Sequence, residues 1–336
     1  MLASRKTNAI KSPDQDSISL QDDREWRHLY TLITSYASRA LTGHLLPALS
    51  PALPFLSLSL LPSLLTQLTY CSTAFARVGL DFRGILSNLF SQAVEEVVKR
   101  DMTSARDNFV AKFQLPSKDS TTQNRVNNSG RTTRWELPSK WLLGSATGTA
   151  APPMPVTPAT PLSAAPLLSQ GPPHIPPQIL ALYPPVAEFT NALLSILNGL
   201  RLLAPISILT NLSRMLDDEI LFRSGEAVLI YIRTYYGEYQ ASPNGIGNAE
   251  GSEETEKAYQ RRVTLAFGQV FFKVFAPFMR RALVEGVYST KLDASFQGGK
   301  LLPGVVMDWE DFSLENGEEE ESEEESSEED EGEGES

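Results

Sequence analysis

FRGILSNLFSQAVEEVVKRDMTSARDNFVAKFQ, residues 82–114, is the stretch that decides the fold class. Ile85, Leu86, Leu89, Phe90, Ala93, Val97, Met102, Ala105, Phe109 and Phe113 recur at three- and four-residue steps, the spacing of one apolar face on an α-helix. Glu95, Glu96, Lys99, Arg100 and Asp107 fill the other face, with Glu95 to Lys99 and Glu96 to Arg100 spaced for i to i+4 pairing. Asp81 stands where an N-cap belongs, its carboxylate able to accept from the free amides of the first turn. Pro116 cannot continue the helix.

Working upstream, Gly79 is suited to the left-handed conformation that ends many helices, and before it Leu64, Leu65, Leu68, Cys71 and Phe75 form a second apolar stripe. Cys71 reads as a small buried hydrophobe; as the single cysteine it excludes an internal disulfide and leaves too few thiols for a usual structural zinc site. A further helix is expected from about Asp23 to Leu45, on Trp26, Tyr30, Ile33, Ala37, Ala40 and Leu41. Residues 41–76 carry no Lys, Arg, Asp or Glu, a length that could span a bilayer. Pro47, Pro51, Pro54 and Pro62 each remove a backbone donor, so the segment reads as a helix end, a proline-rich connector and a new helix near Pro62. No apolar run of signal-peptide length opens the N-terminus, and secretion is not expected.

Downstream, Pro184 and Pro185 suit a helix start, followed by Val186, Phe189, Leu193, Ile196, Leu197 and Leu200 in helical register until Pro205. Ile208, Leu212, Leu216 and Ile220 continue toward Tyr239. The run from Val228 to Tyr236 has strand propensity but no partner strand, and reads as helix. The last helix takes Tyr259 to about Tyr288, on an aromatic-rich face of Val263, Phe267, Val270, Phe271, Val274, Phe275, Phe278 and Leu283. Period-two alternation is missing throughout, so the expected fold is all-α.

Composition divides the chain into a disordered N-terminus (1–19), a helical block (20–115), a disordered Pro/Ser/Thr-rich linker (116–178), a second helical block (179–290) and a disordered acidic tail (291–336). Trp135 and Trp141 are the large aromatics of the linker, read as packing on a neighbouring helix, with a short binding segment as the alternative. Residues 308–336 hold 17 carboxylates and no Lys or Arg; against a net charge of −12, the rest of the chain carries about +5. The low isoelectric point therefore belongs to the tail. Within it, Trp309 and Phe312 sit three apart among acids, resembling short peptides that dock on the appendage domains of coat adaptors; the plainer reading is a solubilising tail.

Catalytic chemistry finds no support. His28, His44 and His174 show no ligand spacing, and no P-loop, dinucleotide fingerprint or nucleophile elbow occurs. No catalytic, cofactor-binding or metal residue is expected. Asp217, Asp218 and Glu219 read as a solvated acidic face. Arg261, Arg262, Arg280 and Arg281 read likewise, with a phosphoinositide or acidic partner as the alternative. Nucleic acid is not an expected partner, given the acidic tail.

Two blocks carry a family resemblance. Arg77-Val78-Gly79-Leu80-Asp81-Phe82-Arg83, led by a helix from Tyr70, resembles the Arg-Val-Gly-x-Asp-Phe-Arg region of the subunit 8 family of the conserved oligomeric Golgi complex. Pro184-Pro185-Val186-Ala187-Glu188-Phe189-Thr190-Asn191 and Leu200-Arg201-Leu202-Leu203-Ala204-Pro205 resemble its Pro-Pro-Leu-Ala-x-Phe-x-Asn and Leu-Arg-x-x-x-Pro segments, in the same order. The likeness covers roughly residues 20–290 and corresponds to the later part of the family chain. It implies an elongated helical bundle of the multisubunit tethering type, with a disordered Pro-rich insertion and an acidic tail. The implied role is a non-catalytic tether subunit, peripheral on the cytosolic face of the Golgi membrane, in retrograde vesicle tethering and Golgi organisation. The implied partners are the other subunits, extending to SNARE proteins, Rab GTPases and coat adaptors. Arg77, Gly79, Asp81, Phe82, Arg83, Pro184, Pro185, Phe189, Asn191, Arg201 and Pro205 are its motif residues, read as structural. The competing readings are an acidic-tailed scaffold or chaperone for basic proteins, and a membrane-embedded protein through residues 41–76.

Overall fold

A computed structural model describes residues 13–113, 141–143, 152–153, 172–240, 252–292 and 298–329, with side chains placed over 24–113, 141–143, 152–153, 172–234, 258–292 and 298–316. All regular structure among the described residues is helical, as the three- and four-residue periodicity requires. Most of the residues expected to be disordered at 1–19 and 116–178, Trp135 included, lie outside the described set. The chain divides into two compact units, residues 1–94 and 95–336, and the division falls within a helix rather than in the proline-rich stretch.

In the first unit, α1 (Pro13–Ala40) passes through a π-helical turn (Leu41–Leu45) into α2 (Leu46–Ala52), then a 3-10 turn (Leu53–Phe55), α3 (Leu61–Ala76) and the start of α4 (Arg83–Val110). Much of the connector is thus helical. Pro62 occupies the first turn of α3, where a missing N–H costs nothing and a fixed φ favours the helix; Pro47 follows just after the π-helical turn, and Pro51 lies inside α2, which ends one residue later. No helix among the described residues is long and apolar enough to cross a membrane.

Two expectations for this unit are corrected. On α1 only Ala37 and Leu41 of the expected stripe are buried, while Trp26, Tyr30 and Ile33 are half or more exposed. Cys71 is exposed, and the inward positions of α3 are Leu61, Leu68 and Ser72. Counting seven and then four residues from Leu61 lands on Ser72, whose hydroxyl is satisfied by the following corner.

The second unit holds the remainder of α4, α5 (Gln178–Leu182), α6 (Pro184–Arg201), α7 (Leu209–Met215), α8 (Phe222–Gln240), α9 (Ser252–Val270), α10 (Ala276–Arg281) and α11 (Leu302–Glu329). The run from Val228 to Tyr236 lies within α8. Pro277 opens α10 directly after a π-helical turn (Phe271–Phe275), so the long aromatic helix continues by a local change of hydrogen bonding. Its phenylalanines form the core. Phe109 stacks on Phe189 (centroids 4.5 Å apart) and Phe271 (5.8 Å). Trp141 fills the space beside Phe267 (4.7 Å), Tyr231 (5.0 Å) and Phe113 (5.3 Å).

Several polar and charged side chains in this unit reach from one helix to another. Glu95 accepts from Asn211 Nδ2 (3.1 Å), and Lys99 pairs with Glu219 (3.2 Å). Asp217 is buried at 1% exposure, not solvated as its acidic neighbours suggest. Its carboxylate faces Arg280 Nε at 3.0 Å and accepts from the Gly299 amide at 2.8 Å. Burial pushes its carboxyl above the ordinary aspartate range, against the pull of Arg280 and Gly299. Arg281, also read as solvated, is buried and paired with Glu285 (3.1 Å). The structure also differs over the tail expected from residue 291. Leu302, Val305 and Trp309, at i, i+3 and i+7, give α11 an apolar face that packs on the unit despite its acidic surroundings.

Candidate functional site

Arg77–Arg83 forms the corner between α3 and α4. Val78, Gly79 and Leu80 donate backward to the carbonyls of Phe75 (3.0 Å), Ala76 (3.0 Å) and Phe75 (3.1 Å). The last two bonds are the Schellman pattern, which satisfies the final carbonyls of a helix only if the residue after its end is left-handed. Gly79 supplies that conformation at φ +81°.

Asp81 then starts α4. Its Oδ1 accepts the Arg83 amide (3.1 Å), and its two oxygens accept Arg83 Nε at 2.9 and 3.0 Å. The Ser72 hydroxyl donates to the same carboxylate (3.3 Å) and accepts the Phe82 amide (3.1 Å), tying the corner back to α3. Phe82 is buried and meets Phe75 edge-on at 5.7 Å. From α1, the Thr34 hydroxyl donates to the Val78 carbonyl (3.3 Å), and a Cβ on Gly79 would stand 3.1 Å from the Tyr30 hydroxyl oxygen. The arrangement fixes the path between the helices. Arg77 is exposed, outside this hydrogen-bonded set.

Hydrogen bonds from the Arg83 side chain and amide, with its positive charge, hold the Asp81 carboxyl well below the usual carboxylate range. A carboxylate lowered on folding stabilises the fold above its unfolded pKa, and that contribution disappears as pH falls through the folded value. Asp81→Asn keeps an acceptor for the Arg83 amide and removes the charge. The stability gap between wild type and Asp81→Asn, measured by urea unfolding, is expected to be constant near neutrality and to shrink below about pH 4. Added salt should narrow it, since both side chains of the pair are about half exposed. A gap that holds its size into acid contradicts the assignment.

The second motif block lies in the other unit. Pro184 and Pro185 occupy the first turn of α6, and Phe189 is buried between Phe109 and Phe275. Arg201 Nε donates to the Gly286 carbonyl (3.1 Å), and Pro205 precedes a 3-10 turn (Ile206–Ile208). Asn191 points to solvent. Sequence reading missed Ser72 and Thr34, and took Tyr30 only as part of an apolar stripe, because a hydroxyl facing a distant loop leaves no periodic mark. A cleft of about 210 Å³ in this unit is lined by Glu95, Lys99, Asn211 and Glu219 among others, the four already engaged with one another in pairs. Among the described residues no group of three or more His, Cys, Asp or Glu is placed to hold a metal ion.

The described residues are all-helical where regular, with a locked helix corner as their sharpest local feature, and residues 31–107, which contain that corner, match the Dor1-like family. The chain is 31% identical over 162 residues to conserved oligomeric Golgi complex subunit 8 of Bos taurus, and 29% identical over 160 residues to that of Mus musculus. Over about half of its length the chain is thus similar to subunit 8 of the conserved oligomeric Golgi complex. Each match covers 48% of this chain but only 21% and 20% of the respective relative, so the shared part spans about a fifth of their length. No solved structure matches the chain significantly.

Proposed function

We propose that the chain acts as a non-catalytic subunit of the conserved oligomeric Golgi tethering complex, peripheral on the cytosolic face of the Golgi, in retrograde vesicle tethering and Golgi organisation. The carrying observation is the α3–α4 corner. Its helix stop, cap and buried Phe82 are built from the residues that resemble the family motif, inside the Dor1-like match. In a tether such a corner would set the direction of a helix that meets other subunits. The face of α1 bearing Trp26, Leu29, Ile33 and Tyr36, each at least 49% exposed, supports an assembled protein, since isolated soluble proteins seldom show so many large apolar side chains together. SNARE proteins, Rab GTPases and coat adaptors extend the partner set within this reading.

Affinity purification of the tagged chain, with identification of what it brings down, tests the reading. The expected result is recovery of other subunits of the complex. A valine at Gly79 meets a left-handed backbone that costs an L-residue about 1–2 kcal/mol, more for a β-branched one. Gly79→Val should therefore lower that recovery several-fold, while Gly79→Asn, which tolerates the conformation, should retain most of it. Recovery of histones or other basic proteins instead, undisturbed by Gly79→Val, would sink the proposal in favour of an acidic-tailed scaffold.

A further inference from the structure

The first half of α11 lies against α8 and α9. Trp309 is fully buried, stacked on Phe272 (5.3 Å), and its ring covers Gly268 so closely that any Cβ there would collide with it. Phe312 sits beside Trp309 (5.9 Å) and under the Arg233 guanidinium (5.9 Å), and Arg233 also donates to the Asp308 carbonyl (3.3 Å). Ahead of the helix, the Gly299 and Leu301 amides are each held at 2.8 Å, by Asp217 and Asp218. The ring of Trp309 is thus used fully, but its indole N–H is buried with no hydrogen-bond partner.

Leaving a buried donor unmade opposes docking, and a phenylalanine would fill the ring space without that cost. The indole N–H therefore has no use in the docked state. Apart from Leu302, Val305 and Trp309, the described side chains of this helix are exposed or half-buried. We propose that residues 302–316 form a displaceable internal ligand of the α8–α9 groove, which withholds the Trp309–Phe312 pair until the helix is released. Once free, the helix offers two aromatics three residues apart among Asp308, Glu310 and Asp311. Its fitting partner is a protein with an apolar trough, a basic rim and an acceptor for the indole. This inference stands apart from the assignment to a Golgi tether.

The probe is a fluorescein-labelled peptide of residues 302–316, which lacks Leu301 and so does not use Asp218, titrated against the full chain and against its Asp218→Ala variant, in which the internal helix alone loses the Leu301 catch. Weak binding to the wild type is expected, because the groove is already filled in cis, with a gain of about tenfold on Asp218→Ala. The peptide carrying Trp309→Ala should not bind, whereas Trp309→Phe should bind within about threefold of the parent, since no hydrogen bond is lost. In the wild-type chain, amide exchange over 302–316 should be faster than over α9. The proposal is overturned by a peptide that binds neither protein, by exchange over 302–316 as slow as over α9, or by a tenfold loss with Trp309→Phe.

Discussion

Phe109→Ala is expected to destabilise the second unit by about 3–5 kcal/mol, the range for removing a fully buried aromatic side chain. Phe109 is 2% exposed, stacked on Phe189 and Phe271 with interplanar angles of 13° and 14°, and touched edge-on by Phe113 at 4.9 Å. Its removal leaves a void between α4, α6 and the π-helical turn after α9, and three rings lose a neighbour together. Dispersion falls steeply with separation, so partial collapse recovers little of the loss. Urea unfolding followed by circular dichroism should show a lower midpoint at unchanged m-value. A double-mutant cycle with Phe189→Ala should return a coupling of about 0.5–1.5 kcal/mol. A loss below about 1 kcal/mol for the single substitution would mean that the stack does not hold these helices together.

Trp141→Ala is expected to cost a similar amount, about 3–5 kcal/mol, although the residue belongs to no α-helix. It is fully buried among Phe113, Tyr231 and Phe267, and its segment is pinned by the Leu143 amide donating to the Leu182 carbonyl at 2.8 Å. Leu143, two residues away and 64% exposed, provides the control: Leu143→Ala should change stability by no more than about 0.5 kcal/mol. Near-ultraviolet dichroism and urea unfolding of both variants separate the possibilities. Equal and small effects would show that Trp141 fills no space that matters to the unit.

The contrast between these neighbours shows where legibility ends. A large aromatic in polar, proline-rich surroundings favours packing on a helix over a short binding segment, and Trp141 is buried. Its three partners lie 28, 90 and 126 residues away in sequence, and nothing local names them. Asp217 is the converse. A run of three carboxylates reads as solvated, and the reading fails because Arg280 and the Gly299 amide, both distant in sequence, compensate one of them. Trp309 was legible as half of an aromatic pair, but not as a buried side chain: its acidic neighbours suggest solvent, and only the space above Gly268 receives the ring.

What the sequence determined by itself is what short-range physics controls. Helices follow from apolar residues at three- and four-residue steps, and the α3–α4 corner from a left-handed glycine and a capping aspartate two residues on. The same residues carry the family resemblance, because these bonds close within about ten positions of the chain. What only the tertiary structure decided is which apolar face is covered. The stripe of α1 is the more regular, yet Trp26 and Ile33 stay exposed, while α11, acidic and unpromising, buries Leu302, Val305 and Trp309. A periodicity of 3.6 states that a helix has an apolar side, and carries no information about whether another surface of matching shape lies opposite.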